Sequence, residues 1–561
     1  MRRNFFAAVA LASVMLLGSC MNTPQFGKSP IDKIVGAMTI EEKVTLLIGD
    51  PEGTFQTCAI PRLGIPSVTL VSTGLPVNKE LLEQTWSAEL YQRVGGECAL
   101  ETLDKGYDCI LIPGFWTGNA ILSGMLSSSF ASGVRSAGVG TALMLFPGME
   151  NAGMDMLVRE TEHWAVLLED TVMPAEWEFG GVVASVLSGE NTRVDLSGYD
   201  MVVPGIQPLR DQLMKAINDG TVEMASVNAS VTRILSMIEK RPDYQEKPEV
   251  KDNSLLRNTV ESEGMVLLRN NGVLPLADNV KKIGLYGVCS YETIVSADEQ
   301  SVNIEDGLEK LGYKIDPAVA GQYRQYVRAN DTHVQPQSLA RQAFRYRADA
   351  IQDDVAIITI GRKGEPGALV PAELELVQDV CESFHAKGKK VVVILNSDVP
   401  VMTEKWLSYP DAILLAGIPG TDAGTVVTAV LTGRVNPSGK LTADYGSFPS
   451  GFGLSYTSFQ YSNAKAVHEN GKLTMSVTVT NTGKRSGKEI VQVYMEPARN
   501  GKISAQGRLI TFAKTGLLQP GESQTLSFVV YDYNIPSQQG DYQAHFSASS
   551  QDSRIAVSFA M

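Results

Sequence analysis

Hydrophobic and polar residues alternate in three different ways along this chain. From residue 30 to about residue 241, short apolar runs are separated by amphipathic stretches, which predicts buried parallel strands joined by helices. Thr39 and Glu42 have the T-x-x-E spacing of a helix capping box. The predicted elements include strands at 68–71, 109–112 and 142–146 and helices at 31–47, 86–103 and 222–240. A segment of about 210 residues lies at the lower edge of a complete eight-stranded β/α barrel, so we expect a reduced barrel.

A polar stretch at 241–253, which contains two prolines, predicts a linker after this first segment. Apolar runs return beyond it, with a helical stretch at 371–386, and indicate a second α/β layer that ends near residue 461. These runs lie at 283–288, 355–360, 390–395 and 412–415. The rest of the chain changes to a period of two, with a turn at Asn481-Thr-Gly483, which is typical of a small β-sandwich.

The charge balance argues against one class of partner. The chain has 561 residues, with 48 Lys plus Arg against 62 Asp plus Glu, and a formal net charge of −14. Affinity for nucleic acid depends on the neutralisation of phosphates by Lys and Arg, so we expect no nucleic-acid partner. No apolar run after residue 20 approaches the roughly 18 residues of a transmembrane helix.

The first twenty residues, MRRNFFAAVALASVMLLGSC, are typical of a secretory signal. Two arginines precede an apolar run at 5–17, and small residues precede Cys20. Leu17-Gly-Ser-Cys20 also resembles a bacterial lipobox, which implies cleavage before Cys20 and acylation of that residue; an ordinary signal peptide is the alternative. Because Met21 is not the Asp associated with inner-membrane retention, we expect an exported lipoprotein of the outer membrane. It would face the periplasm or the cell surface and touch the membrane through its lipid anchor only.

Cysteine and histidine spacing gives no support for a metal site. Five further cysteines form no C-x-x-C pair, and the five histidines are scattered over the whole chain. No glycine-rich phosphate loop follows any predicted strand. We therefore expect neither a metal nor a cofactor. Whether Cys98 and Cys109 form a disulfide in this exported protein stays open.

Short motifs spread over nearly the whole chain carry a family resemblance. In chain order they are MTIEEKV at 38–44, IPRLGIP at 60–66, GYDMVVPG at 198–205, EGMVLLRNNGVLPL at 263–276, NPSGK at 436–440, GFGLSY at 451–456 and LQPG at 518–521. In this order they resemble glycoside hydrolase family 3 of the β-glucosidase type.

The resemblance implies a multidomain α/β fold. A reduced (β/α) TIM-like barrel is followed by an α/β sandwich and then by a fibronectin type III-like β-sandwich. The expected bounds are 1–20 for the lipoprotein signal peptide, 28–242 for the barrel-like domain, 254–460 for the α/β sandwich and 461–561 for the fibronectin type III-like domain.

Several residues on which the family's chemistry depends are replaced in this chain. A retaining glycosidase uses two carboxylates about 5 to 5.5 Å apart, one as nucleophile and one as acid/base. Val186 stands where the family's nucleophilic Asp is expected, and a valine side chain cannot attack an anomeric carbon. The family's Lys-His pair, which holds sugar hydroxyls, falls on Met144 and Leu145. The family's Asp-Gly-Pro motif becomes Ser72-Thr-Gly-Leu-Pro76, and a long loop is shortened to 114–119.

Two glutamates are the main candidates for surviving chemistry. Glu365, in IGRKGEPG at 360–367, resembles the family's acid/base. Glu190 lies four residues beyond Val186 and is the best substitute for the nucleophile by position. Solvated loop acids are the alternative interpretation of both.

Two further residues are weaker candidates. Phe146-Pro-Gly148 resembles the branch of the family that acts on N-acetylglucosaminides, which makes Asp155 an alternative acid, although Leu157 stands where that branch has a His. Trp116 is a candidate for stacking on a sugar face, with ordinary packing as the alternative.

We therefore predict a catalytically degenerate family-3-like lipoprotein that either binds a glycan or has a structural role with a partner protein. In the structural version, apolar residues such as Met144, Leu145 and Val186 fill the cleft; in the binding version, aromatic and polar side chains line it. The alternative is an active β-glucosidase-type hydrolase of O-glycosyl bonds with a relocated nucleophile. That alternative requires a second acid within about 6 Å of Glu365.

Overall fold

The structure, a computed structural model, describes most of the chain. The described ranges are 23–50, 55–72, 74–112, 117–146, 152–169, 171–174, 179–186, 198–241, 253–296, 301–330, 352–497, 507–535 and 538–561. They form two compact units. The first unit contains the described residues before 75, from 95 to 113 and from 131 to 250, and the second contains those from 75 to 94, from 114 to 130 and after 250.

The first unit is built on a curled sheet of six parallel strands, which stand in chain order from β1 to β6. The strands are β1 (Leu70–Val71), β2 (Cys109–Leu111), β3 (Gly140–Leu145), β4 (Ala165–Glu169), β5 (Val182–Val186) and β6 (Met201–Val203). The helices before residue 241 are α1 (Ile31–Ala37), α2 (Ile40–Leu47), α3 (Lys79–Gln84), α4 (Ala88–Asp104), α5 (Ala120–Ser136), α6 (Ala152–Glu160), α7 (Gln207–Asn218) and α8 (Met224–Ile238), with a 3-10 turn at Pro61–Leu63.

The segment between α2 and β1 joins the two edges of the curled sheet. Ile48 bridges Val202 of β6 in parallel register, and Gln56 bridges Thr69, next to β1, in antiparallel register. The Asp50 N–H donates to the Gln56 carbonyl at 2.9 Å. Main-chain hydrogen bonds therefore run from β6 through this segment to β1, so that neither edge strand is left unpaired.

The second unit contains a doubly wound sheet in the order β7-β14-β12-β10-β8-β9, in which only β7 is antiparallel to its neighbour. Its strands are β7 (Val266–Asn270), β8 (Lys282–Tyr286), β9 (Lys314–Ile315), β10 (Val355–Arg362), β12 (Lys390–Ser397) and β14 (Ala412–Leu415), and a two-stranded sheet pairs β11 (Gly367–Ala368) with β13 (Val401–Met402). The helices are α9 (Ser254–Gly264), α10 (Ile304–Lys310), α11 (Pro317–Asn330), α12 (Pro371–His385) and α13 (Ala423–Leu431), with a 3-10 turn at Val288–Ser290.

A β-sandwich completes the second unit. Three strands form one sheet in the order β15-β16-β19, and four form the other in the order β18-β17-β20-β21. The strands are β15 (Phe459–Glu469), β16 (Lys472–Asn481), β17 (Ile490–Pro497), β18 (Arg508–Lys514), β19 (Ser523–Tyr531), β20 (Asp541–Ser549) and β21 (Asp552–Ala560), with a 3-10 turn at Asp532–Asn534. Alternate residues of β16, such as Leu473, Met475 and Val477, face the core between the sheets, as the period of two predicts.

Helix α3 and Trp86, two residues beyond its end, pack within this second unit. A Cβ atom at Gly264 of α9 would lie 2.1 Å from the Leu81 carbonyl oxygen, so this close approach requires glycine. Trp86 is buried, and its ring meets that of Phe512 edge to face at a centroid distance of 5.2 Å. A short piece of chain from before the barrel's second strand therefore belongs to the core of the other unit.

The fold agrees with the class predicted from the sequence: a reduced barrel, an α/β sandwich and a β-sandwich. The Thr39–Glu42 capping box is present, with the Glu42 N–H donating to Thr39 Oγ1 at 3.2 Å and the Thr39 N–H donating to Glu42 Oε2 at 2.9 Å. The predicted helix at 31–47 is two helices, because the extended backbone of Met38 and Thr39 separates them.

Two further points concern cysteines and membrane spans. Cys98 and Cys109 are both buried as free thiols, so they do not form the disulfide that the sequence left open. None of the helices in the described ranges is both long enough and apolar enough to cross a bilayer.

Candidate functional site

The carboxyl ends of the parallel strands are where a barrel of this type places its chemistry. Val186 is the last residue of β5, and it pairs in register with Glu169 of β4 on one side and Val203 of β6 on the other. Its side chain is half-buried and packs against the hydrophobic core of the first unit. The position expected to carry the nucleophile is therefore at the barrel mouth, and it carries an apolar side chain.

The two residues expected to replace the Lys-His pair lie on opposite faces of β3. Met144 is half-buried against the same core as Val186. Leu145 is the next residue along an extended strand, so its side chain points to the other face, where it is buried. Leu145 therefore does not fill the cleft, contrary to the expectation from the sequence.

Among the described residues, the cavity inside the barrel is too small for a sugar. A cavity of about 10 Å³ remains there, with room for about one water molecule. Its walls are mostly small or apolar side chains from the strands, from the segment between α2 and β1, and from α8: Phe55, Gln56, Leu70, Ala165, Leu167, Ala184, Met201, Val203 and Met237. This layer of side chains has no room for a saccharide, so the mouth above it is the part of the described barrel to consider.

Glu169 is a carboxylate at the mouth that the sequence analysis missed. Ala165 and Leu167 of the same strand line the inner cavity, and the alternation of a strand places Glu169 on the same inner face. It is half-buried and stands in register beside Val186. The sequence feature that could have identified it is the apolar run Ala165-Val-Leu-Leu168 directly before this acid, but no strand was predicted there.

Aromatic surface is present at the end of the neighbouring strand. Phe146 directly follows β3 and is 41% exposed, a high value for a phenylalanine. Ser72, which stands where the family has an Asp, follows β1 and is exposed. The described part of the mouth thus combines an exposed aromatic residue with one carboxylate and one hydroxyl.

Glu365 lies in the second unit, on an exposed loop just after β10. The base of this loop is fixed by Arg362, whose buried guanidinium forms a two-pronged ion pair with Glu373, with Nη1 at 2.7 Å from Oε1. Asp398 accepts a hydrogen bond from the Gly364 N–H at 3.0 Å. The loop is thus held at both sides while the Glu365 carboxylate stays in solvent.

The remaining candidates divide into one described residue and several that are not. Asp155 lies on α6 and forms an ion pair with Arg159 one helical turn away, so it is already neutralised within its own helix. Glu190, Trp116 and Cys20 lie outside the described residues. Within the described ranges, no group of three or more His, Cys, Asp or Glu side chains is arranged to hold a metal ion.

Comparison with known proteins extends these observations. The model of the glycosyl hydrolase family 3 C-terminal domain matches residues 265–493. Thermostable β-glucosidase B of Acetivibrio thermocellus is 25% identical over 640 residues, which cover 89% of this chain and 82% of that protein. An exo-α-(1→6)-L-arabinopyranosidase of Bifidobacterium longum is 22% identical over 692 residues, which cover 93% of this chain and 87% of that protein.

A solved structure agrees with these relatives. β-Glucosidase 3B from Thermotoga neapolitana, in complex with α-D-glucose, superimposes with a TM-score of 0.78 and 25% sequence identity. The superposition covers 94% of this chain and 98% of that chain, so it includes the reduced barrel as well as both sandwiches. The order of motifs, the three-part fold and these matches agree: residues 265–493 match the C-terminal domain of glycosyl hydrolase family 3, and the chain resembles β-glucosidases of that family over nearly its whole length.

Proposed function

We propose that this protein is a catalytically degenerate, β-glucosidase-like member of the family that binds a glycan at the mouth of its barrel. The observation that carries the proposal is Val186 at the carboxyl end of β5, beside a packed barrel interior. A retaining glycosidase forms a covalent bond between a carboxylate and the anomeric carbon. Valine has no lone pair for that bond, so the step has no nucleophile at this position.

The character of the mouth favours a ligand over a purely structural role. A mouth that served only to fill space would bury its side chains, yet Phe146 is exposed and Glu169 is half-exposed there. Aromatic faces and carboxylates are the groups that hold the C–H faces and hydroxyls of sugars. The names of the relatives, a glucosidase and an arabinopyranosidase, point to pyranosides as the class of ligand.

Two measurements on purified residues 21–561 test the proposal. Turnover of aryl β-glucoside, xyloside, galactoside and N-acetylglucosaminide should not exceed that of a Glu365→Gln variant, which reports contaminating enzyme. Isothermal titration with cellobiose, xylobiose and arabinobiose should give binding to at least one. An absence of both turnover and binding would favour the role with a partner protein instead.

The second candidate is an active hydrolase with a relocated nucleophile, and the position of Glu169 beside Val186 favours it. In that reaction the Glu169 carboxylate would bond to the anomeric carbon while the glycosidic C–O bond breaks. A carboxylic acid, for which Glu365 is the candidate by resemblance to the family, would give its proton to the leaving oxygen, and water would then hydrolyse the glycosyl ester. Turnover that is abolished by Glu365→Gln and by Glu169→Gln would establish this candidate and contradict the degenerate one.

We further propose that the protein is exported as a lipoprotein acylated at Cys20. The basic, apolar and small-residue order of the first twenty residues supports this proposal. Metabolic labelling with an alkyne fatty acid in a bacterial host should label the full chain, and a Cys20→Ser variant should lose the label. Equal labelling of the two would contradict the proposal.

A further inference from the structure

Glu169 is the inner-face carboxylate in the described part of the barrel mouth, and a role for it rests on the proposed function. Glu169 ends β4 on the inner face, next to the apolar Val186. Met144 on β3 has the same inward parity and is also half-buried against the core, and it pairs in register with Leu167, the inward position before Glu169. The Glu169 carboxylate therefore lies beside an aliphatic side chain on β5 and diagonally above another on β3.

Two acids at the amino ends of other strands of the same sheet are neutralised within the protein. Asp108, just before β2, is ion-paired with Arg241 at 2.7 Å and accepts a hydrogen bond from the Thr69 N–H. Asp200, just before β6, accepts hydrogen bonds from Arg233 Nε at 2.8 Å and from the Val183 N–H at 3.0 Å. These two acids stabilise the amino ends of the barrel strands through hydrogen bonds and ion pairs.

Glu169 differs from them in having no such partner. Within the part of the chain that the structure describes, its side chain forms no hydrogen bond and no ion pair. A half-buried carboxylate among aliphatic neighbours loses part of its hydration, and nothing described in the protein replaces that hydration. Such an acid destabilises the empty protein unless a ligand supplies hydrogen-bond donors.

The side chains around the Glu169 carboxylate determine which hydrogen-bond donors a ligand must offer. An ionised carboxylate only accepts hydrogen bonds, and its two oxygens match the two hydroxyls of a vicinal diol. Val186 and Met144 offer no polar group, so they suit the C–H face of a pyranose ring rather than a charged or phosphorylated ligand. A cation is disfavoured because no metal-binding group of acids is found among the described residues.

We propose that Glu169 is the binding residue that accepts hydrogen bonds from adjacent hydroxyls of a pyranose at the barrel mouth. It takes over the task of holding the sugar from the polar residues that Met144 and Val186 replace. The assignment follows from the strand register and parity of this chain, not from the position of the family's nucleophile.

Titration of the full mature chain with the disaccharide that binds best, cellobiose being the first probe, tests this inference. Glu169→Gln should weaken binding at least tenfold, because an amide offers one acceptor where the carboxylate offers two. Glu162→Gln is the matched control, since Glu162 is exposed at the other end of the same strand and should leave the affinity unchanged. Glu169→Asp, which withdraws the carboxylate by one methylene, should also weaken binding and serves if the Gln variant does not fold.

The outcomes separate this inference from the function on which it rests. If the unaltered chain binds the sugar and Glu169→Gln binds it equally well, the inference is wrong and glycan binding stands. If the unaltered chain binds none of the three disaccharides, the proposed function is wrong and the inference falls with it. Circular dichroism and thermal unfolding of each variant ensure that a loss of binding is not a loss of fold.

Discussion

The carboxyl ends of the two parallel sheets differ in what their polar residues do. In the doubly wound sheet, β10 ends in Arg362 and β12 contains Asn396, and both side chains are buried and form hydrogen bonds within the protein. In the barrel sheet, β4 ends in Glu169, which is half-buried and has no side-chain partner among the described residues. Polar groups at one sheet end serve the fold, whereas the acid at the other has no such role among the described residues.

Asn396 illustrates the first kind. Its amide oxygen accepts a hydrogen bond from the Ile294 N–H at 2.7 Å, and its amide nitrogen donates to the Ile294 carbonyl at 3.0 Å and to the Gly417 carbonyl at 2.9 Å. One side chain thus ties two loops to the sheet. A polar side chain at the end of a strand therefore does not by itself indicate a ligand site. A half-exposed one whose hydrogen bonds are not satisfied within the protein is the better indicator.

The largest effect that would test this comparison is the loss of the Arg362–Glu373 pair. Replacing Arg362 by Met leaves the Glu373 carboxylate buried without a partner, so we expect a loss of about 3 to 5 kcal/mol in the free energy of unfolding. Urea denaturation measures it. The control is Arg554→Met, which removes an exposed pair with Asp552 and should cost at most about 1 kcal/mol. Equal costs for the two variants would show that the doubly wound sheet does not depend on this buried pair.

A pH-dependent effect follows from another buried acid of the second unit. Burial raises the pKa of Glu261 to about 7, although the Gly420 N–H donates to its carboxylate. Because the pKa is higher in the folded than in the unfolded chain, this acid favours folding below about pH 4.5. That contribution, on the order of 2 to 3 kcal/mol, is lost as the pH rises to about 7.

Glu261→Gln should therefore flatten the dependence of the free energy of unfolding on pH between about pH 4.5 and 7. Some slope should remain, because burial also raises the pKa of Glu83 to about 7. The control is Glu375→Gln on the exposed side of α12, which should keep the original slope. An unchanged slope in the Glu261 variant would contradict the assignment.

A smaller effect tests the closure of the barrel. A Cβ atom at Gly205 would lie 2.1 Å from the Gly49 carbonyl oxygen, so Gly205→Ala should force these segments apart. We expect a loss of about 1 to 3 kcal/mol, measured by urea denaturation of the first unit's transition. Gly180→Ala, where a Cβ would meet nothing within 4 Å, is the control and should leave stability nearly unchanged.

The smallest effect on stability is expected at Glu169 itself. Glu169→Leu removes a carboxylate that has no described partner and adds apolar contact with Val186, so the free energy of unfolding should change by less than about 0.5 kcal/mol or rise. Differential scanning calorimetry measures this. A loss of several kcal/mol would mean that the acid serves the fold and would remove the contrast between the two sheets.

Much of the fold was predictable from the sequence because its elements have clear periods. Three of the four strand runs predicted in the second segment agree with β8, β10 and β12 to within two residues, and 412–415 coincides with β14. The closure of the barrel was not predictable, because single bridges at Ile48 and Gln56 leave no periodic pattern. The order of motifs predicted the family from residues that are mostly structural.

The site was less predictable, for a physical reason. Comparison by motif asks which residue stands at a known position, and on that basis it predicts Val186 and Met144 as replacements. It cannot show that Leu145 points to the other face of β3 or that Glu169 points inward, since both depend on where each strand begins. Strand parity becomes visible only once the register of β3, β4 and β5 is known.

The division of the chain between the two units has a genetic consequence. The chain passes from one unit to the other five times, near residues 74, 94, 113, 130 and 250. Neither unit is a continuous stretch of the gene, so no single choice of start and stop codon would produce one without part of the other. A genetic exchange of the whole barrel would therefore have to carry along the segments at 75–94 and 114–130, which belong to the other unit.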